Sequence, residues 1–183
     1  MTNAVEQDVI RWLNSVVIGL NLCPFSGKPL RENRVRIHVN EVMSEEDLLS
    51  DLMAEMELLD KTPASEIETT LVIVPNLLQD FFDYTQYLIW VQSQLKRRGW
   101  QGVYQLASFH PDYCFAGAEP DDVENLTNRS PYPIIHIIRE ASLEKALEFF
   151  EDVEGIPERN KVCVSALSLE QRQQLFPYLF NSQ

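Results

Sequence analysis

SFHPDYCFAGAEPDDVENLTNRSPYPIIHIIR, Ser108–Arg139, is the stretch that decides how this chain folds. It has a strand-like apolar run at each end and a polar, proline-punctuated connection between them. Most connections in compact domains are far shorter, and long ordered ones tend to carry function. This one is rich in Tyr, Phe, Pro and Asn rather than Ser, Glu and Lys, which argues for order. In the closing run, Ile134 and Ile138 share one face and Ile135 and Ile137 the other. Residues Tyr132–Arg139 therefore predict a strand apolar on both faces and central in its sheet. Val103–Phe109 predicts the strand before it, and the loop allows the two to pair antiparallel.

Working outward, the remaining elements follow from periodicity and punctuation. Val5, Val9, Trp12, Leu13, Val16 and Leu20 recur at three- and four-residue spacing and predict a helix over residues 4–22, stopped by Pro24. After the turn-rich CPFSGKPLREN, the alternation of Val35, Ile37 and Val39 with Arg34, Arg36 and His38 predicts a strand over Arg34–Glu41. Ser44 followed by Glu45, Glu46 and Asp47 is a helix start, with acids in the first turn. Thr69–Val74 predicts a short buried strand, and Leu77–Arg98 a long helix closed by basic residues and Gly99. Beyond the fourth strand, Ser142–Phe150 predicts a short helix, Lys161–Ala166 a fifth strand at a sheet edge, and Ser168 with Gln171 the start of a last helix.

Strands joined by helices imply an α/β fold: a single layered domain over residues 1–183, with helices packed on a mixed sheet of four to five strands. A ferredoxin-like variant fits this order, with a doubly wound sheet as its competitor. Neither GxGxxG nor GxxxxGK[ST] is present, so the glycine-rich phosphate loops of nucleotide folds are excluded.

Composition narrows the function classes. With 183 residues and 45% hydrophobic content, the chain can fill a core without a metal or disulfide. A formal net charge of −13 repels phosphate backbones and anionic lipid surfaces, which argues against nucleic-acid and membrane partners. Three widely spaced cysteines, Cys23, Cys114 and Cys163, do not form a disulfide framework and fit a reducing compartment. The N-terminal segment has no basic leader and is interrupted by Arg11 and Asn14, so it reads as neither signal peptide nor spanning helix, and a cytoplasmic location is expected.

The chemistry-bearing residues concentrate in the loop. His110 ends a strand and enters it, a position suited to a general acid or base, or equally to a side chain that pins the loop. Asp121 and Asp122 fit a carboxylate orienting His110, or a turn cap. Asn125, Asn128, Arg129, Ser130 and Arg139, with Tyr113, supply the donors of an anion cradle; the structural reading has Arg129 holding an aspartate. His136, between Ile135 and Ile137, reads first as a satisfied core histidine and second as a partner of His110. Cys23 is a candidate nucleophile or ligand, although a helix C-terminus disfavours its thiolate. Arg34, Arg36 and His38, near Lys28 and Arg31, form a basic strand face. His110, Asp112, Cys114 and the two aspartates are ligand types whose spacing matches no standard zinc pattern, so no metal is expected; were one bound, it would fall to His110, His136 and Cys23.

Two segments, GLNLCPF (Gly19–Phe25) and Ser108–Glu140, resemble an uncharacterised bacterial family, domain-of-unknown-function family 1415, and the resemblance extends over nearly the whole chain. It implies that Cys23, Pro24, His110, Pro111, Tyr113, Phe115, Asp121, Asp122, Asn125, Asn128, Arg129, Ser130, Pro131, His136 and Arg139 lie in the family signature. It implies no activity and no cofactor. The expectation is a small-molecule enzyme or binder that takes an anionic ligand at the loop between the third and fourth strands. The alternatives are a metal- or haem-binding protein using Cys23 and the histidines, and a protein-interaction module that presents the loop.

Overall fold

In the computed structural model, which describes residues 3–180, a four-stranded sheet is covered by helices on both faces. Helix α1 (Ala4–Trp12) runs into a π-helical stretch, Leu13–Ile18, and a short α2 (Gly27–Arg31) follows. Then come β1 (Val35–Val39), α3 (Glu45–Lys61), β2 (Thr69–Ile73), α4 (Phe81–Arg97) and β3 (Tyr104–Phe109). The long loop, holding a 3-10 turn at Val123–Thr127, leads to β4 (Ile134–Arg139) and directly into α5 (Glu140–Leu147). Helices α6 (Ile156–Ser165) and α7 (Leu169–Leu175) complete the order.

The strand order is β1-β2-β4-β3; β1 and β2 are parallel, and β4 is antiparallel to both β2 and β3. The fold is therefore α/β with a mixed sheet, and β4 lies inside it, as its two apolar faces require. The element order β-α-β-α-β-β-α departs from the β-α-β-β-α-β of a ferredoxin-like fold, so that variant is excluded. A doubly wound sheet is excluded as well, because one of its three strand pairings is parallel and two are antiparallel.

Side-chain alternation divides the core in two. Val72, Val74, Ile135 and Ile137 pack against Leu52, Met56 and Leu59 of α3 and Tyr84 and Val91 of α4. Leu71, Ile73 and Ile134 face the other way, against Val9, Trp12, Leu13 and Val16 at the N-terminus, Val164 of α6 and Phe176 after α7. Ser44 caps α3 by accepting from the Asp47 N–H at 3.1 Å, and Ser168 and Gln171 form a reciprocal capping box on α7, so both expected helix starts are present. At the far end of α3, the Arg139 guanidinium donates to the carbonyls of Leu59 at 2.6 Å and Thr62 at 2.5 Å. It thereby caps the end of the helix, adding to the Thr62 N–H already bonded to the Leu59 carbonyl at 3.3 Å.

Two local expectations are corrected. Lys161–Ala166 is not a fifth strand: residues through Ser165 lie in α6, which opens with Pro157 in its first turn and buries Val164. A short β-branched run carries no period that separates a strand from a buried helical turn. The first helix also changes register at Leu13, where the π-helical stretch begins. The widened turn brings the Ser15 carbonyl so near Gly19 that a β-carbon there would collide with it, and Asn21 then ends the segment with φ 52°. Glycine accommodates the first constraint, and asparagine tolerates the second better than most residues.

The basic face of β1 is paired within the fold. Arg36 makes two hydrogen bonds to the buried Glu55 of α3, at 2.8 and 2.9 Å, and His38 Nε2 lies 2.9 Å from Asp51. Hydrogen bonding to Glu55 raises the Arg36 pKa above its ordinary value. We predict that Glu55→Ala costs about 2 kcal/mol, because the guanidinium keeps partial access to water but loses its fork partner. A chemical-denaturation midpoint equal to that of the native protein would contradict this pairing.

Candidate functional site

The loop gathers most of the expected site residues and turns their polar atoms onto its own backbone. His110 is fully buried. Its Nδ1 accepts from the Asp112 N–H at 3.0 Å, so Nε2 carries the proton and donates to the Leu78 carbonyl at 2.9 Å. Burial lowers its pKa, opposed by the bond to Leu78. Asn125, also fully buried, accepts from the Phe115 N–H at 3.0 Å and donates to the Glu119 carbonyl at 2.8 Å. Asn128 donates to the Ser108 carbonyl at 3.2 Å, and Ser130 to the Tyr132 carbonyl at 2.6 Å. Arg129 donates from Nε to the Tyr113 carbonyl at 3.2 Å and from Nη2 to the Pro120 carbonyl at 2.6 Å. Asp121 and Asp122 are both exposed, and Asp122 accepts from the Glu119 N–H at 2.8 Å. The Tyr113 ring packs between Phe81 and Phe115, with centroids 5.1 and 5.0 Å away.

The single convergent site expected from the sequence is therefore corrected. Arg139 is occupied at the end of α3, away from Arg129. His136 and Cys23 meet elsewhere, in a chamber of about 210 Å³ on the opposite face of the sheet from α3 and α4. His110 is not part of that chamber's wall, so the expected metal set of His110, His136 and Cys23 is not assembled. Among the described residues, no three His, Cys, Asp or Glu side chains are grouped to hold a metal ion.

The chamber follows from cross-strand registry. Ala107 on β3 and Leu71 on β2 flank His136 on β4, and all three point to the same side. Ala107 is too small to fill the space that Phe109, two residues on, fills at its own position. Trp12 and Leu13 wall the chamber from the N-terminal helix, Leu30 from α2, and Leu143 and Ala146 from α5. Cys23 and Phe25 of the GLNLCPF turn also line it. The lining is almost wholly apolar; Glu68, its one charged residue, is held by Arg34. Outside lies a wider vestibule of about 630 Å³, bordered by Lys28, Lys145 and Phe149. Phe25 borders both spaces and packs edge-on against Phe150, with centroids 4.8 Å apart.

His136 provides the polar feature of the chamber floor. Thr69 Oγ1 lies 2.6 Å from both His136 Nε2 and the Ile137 carbonyl. A hydroxyl has one proton, and only donation to Ile137 leaves each contact with a hydrogen between its partners. Nε2–H thus donates to Thr69, and the unprotonated nitrogen is Nδ1. Burial lowers the His136 pKa to about 4. The sequence did flag this residue, but chiefly as a core histidine. A clearer signal was the small Ala107 where the alternating strand pattern calls for bulk.

The loop and chamber are mechanically joined. The Arg129 carbonyl accepts from the Trp12 indole N–H at 3.0 Å and from the Tyr178 hydroxyl at 3.1 Å. Trp12 in turn packs edge-on against Phe109, with centroids 5.2 Å apart. The loop's internal hydrogen bonds therefore set the position of a chamber wall.

No helix among the described residues is long and apolar enough to cross a membrane. No curated protein and no solved structure matches the chain. A family model described as protein of unknown function (DUF1415) matches residues 4–174. That match covers both signature segments, the turn that walls the chamber and the loop that braces it, and the chain belongs to the DUF1415 family.

Proposed function

We propose that this protein binds a small molecule whose apolar body occupies the chamber between the sheet, the N-terminal helix and α5. The supporting observation is the chamber itself: about 210 Å³ of space, walled almost entirely by apolar side chains and adjoining a wider space across Phe25. A concave, predominantly apolar space with a few polar groups is the usual form of a small-molecule site. For scale, an engineered apolar cavity of about 150 Å³ stays dry and binds benzene. A one-ring or short-chain molecule suits this one. No cation lines the inner chamber and its histidine is neutral near pH 7, so a buried anion would go uncompensated there. In this reading the anionic group expected from the sequence stays in the vestibule, beside Lys28 and Lys145.

Toluene is a direct probe. At ten times its dissociation constant it should stabilise the native state by about 1.4 kcal/mol. It should also shift the methyl resonances of Val17, Leu71 and Ile138. Ala107→Leu, which fills the space beside His136, should fold and lose both responses. Toluene that leaves melting temperature and methyl resonances unchanged in the native protein would overturn the proposal.

A further inference from the structure

We infer that the chamber selects ligands carrying a hydrogen-bond donor, which His136 Nδ1 accepts; this rests on the binding reading above and specifies its ligand class. Thr69 donates its hydroxyl hydrogen to the Ile137 carbonyl in a hydrogen bond, which obliges His136 to donate from Nε2. The lone pair of Nδ1 then has no hydrogen-bond partner among the described residues. Nor is it sealed in protein: the one buried side-chain polar atom without a partner among those residues is Thr70 Oγ1, on the other face of the sheet. His136 lines the chamber, so Nδ1 opens onto that space.

An unpaired acceptor in an apolar chamber discriminates strongly. A ligand hydroxyl or N–H gains a partner there, whereas an isosteric hydrocarbon leaves the lone pair unsatisfied. A carboxylate brings only acceptors and meets a lone pair with its own negative charge. The neutral form of the ring, favoured by burial, keeps Nδ1 an acceptor at physiological pH. Phe109, 6.3 Å away between ring centroids, and Leu71, opposite His136 in the strand register, supply apolar walls beside it. The class that fits is a small phenol, alcohol or N–H heterocycle, uncharged where it enters the chamber. The structure assigns no reaction to it.

Toluene, phenol and benzoate test this on the full chain, being close in size and differing in the group offered to Nδ1. Phenol should bind about tenfold more tightly than toluene, and benzoate more weakly than either. In ¹⁵N spectra the unprotonated ring nitrogen of His136 should move with phenol and stay in place with toluene. His136→Phe should lose the preference for phenol over toluene. If that variant does not fold, the nitrogen resonance of the native protein decides the matter. Equal affinity for toluene and phenol would overturn donor selection and leave the chamber reading standing. Binding of neither would overturn both. A phenol preference that survives in His136→Phe would also overturn the inference.

Discussion

His110→Ala should lower stability by about 3 kcal/mol, without the pattern expected of a lost general base. The ring is fully buried and makes two hydrogen bonds, one from the Asp112 N–H and one to the Leu78 carbonyl. Truncation leaves both backbone groups without their partner, at about 1–3 kcal/mol for each buried group, and opens a cavity besides. For a chain of this size, about 3 kcal/mol corresponds to a melting temperature lower by roughly 6–12 °C. The damage should spread in a particular direction. The loop carries the Arg129 carbonyl that anchors Trp12, so the Trp12 indole N–H should lose protection from hydrogen exchange in the variant. His110→Ala with unchanged melting temperature and unchanged protection would refute the bracing role. It would also return His110 to the group of side chains available for chemistry.

Much of the fold was legible in the sequence because the relevant signals were local. The apolar character of both faces of Ile134–Ile138 located the central strand, Ser44 and Ser168 marked helix starts, and the long connection allowed an antiparallel pair. The π-helical stretch was not legible, since its signature is a close approach between Gly19 and a carbonyl four residues earlier. Nor was α6, where a β-branched run had two readings and the packing of Val164 decides between them.

For the site, residue type proved a poor guide to direction. Asn125, Asn128, Arg129 and Ser130 have the donors of an anion cradle, and those donors point at backbone carbonyls. A long ordered loop has many carbonyls that no ladder satisfies, and side-chain donors are the means of satisfying them. The same chemistry that could hold a ligand anion holds the chain itself, and sequence does not separate the two. The chamber was hidden for a different reason. It arises where Ala107, Leu71 and His136 come side by side from three strands, a juxtaposition set by register of which the chain shows only the small Ala107.

Acid should expose His136 as a stability switch with a defined sign. Its pKa is about 4 in the folded protein, against an ordinary value of 6.5 in the unfolded chain. Between those values the unfolded state binds more protons at this position, so stability falls as pH drops. The contribution is fully present above about pH 6.5 and is lost as pH falls toward 4. At 1.36 kcal/mol per pH unit, the loss is roughly 3 kcal/mol. His110, whose pKa burial also lowers, contributes in the same direction, and carboxylates add their own dependence at the acid end. The diagnostic quantity is thus the difference between the native protein and His136→Phe, measured by denaturant titration from pH 7.5 to 4.5. That difference should shrink or reverse with acid, because the variant has no ring to protonate. Glu68 and Cys23 line the same chamber and are common to both proteins, so they cancel to first order. The proton and a donor ligand compete for one lone pair, since Nε2 is already protonated and committed to Thr69. Phenol at saturating concentration should accordingly push the His136 titration to still lower pH, and toluene should leave it in place. Parallel stability curves for the native protein and His136→Phe would mean that the ring titrates alike in folded and unfolded chains. The environment assigned to Nδ1 would then be wrong.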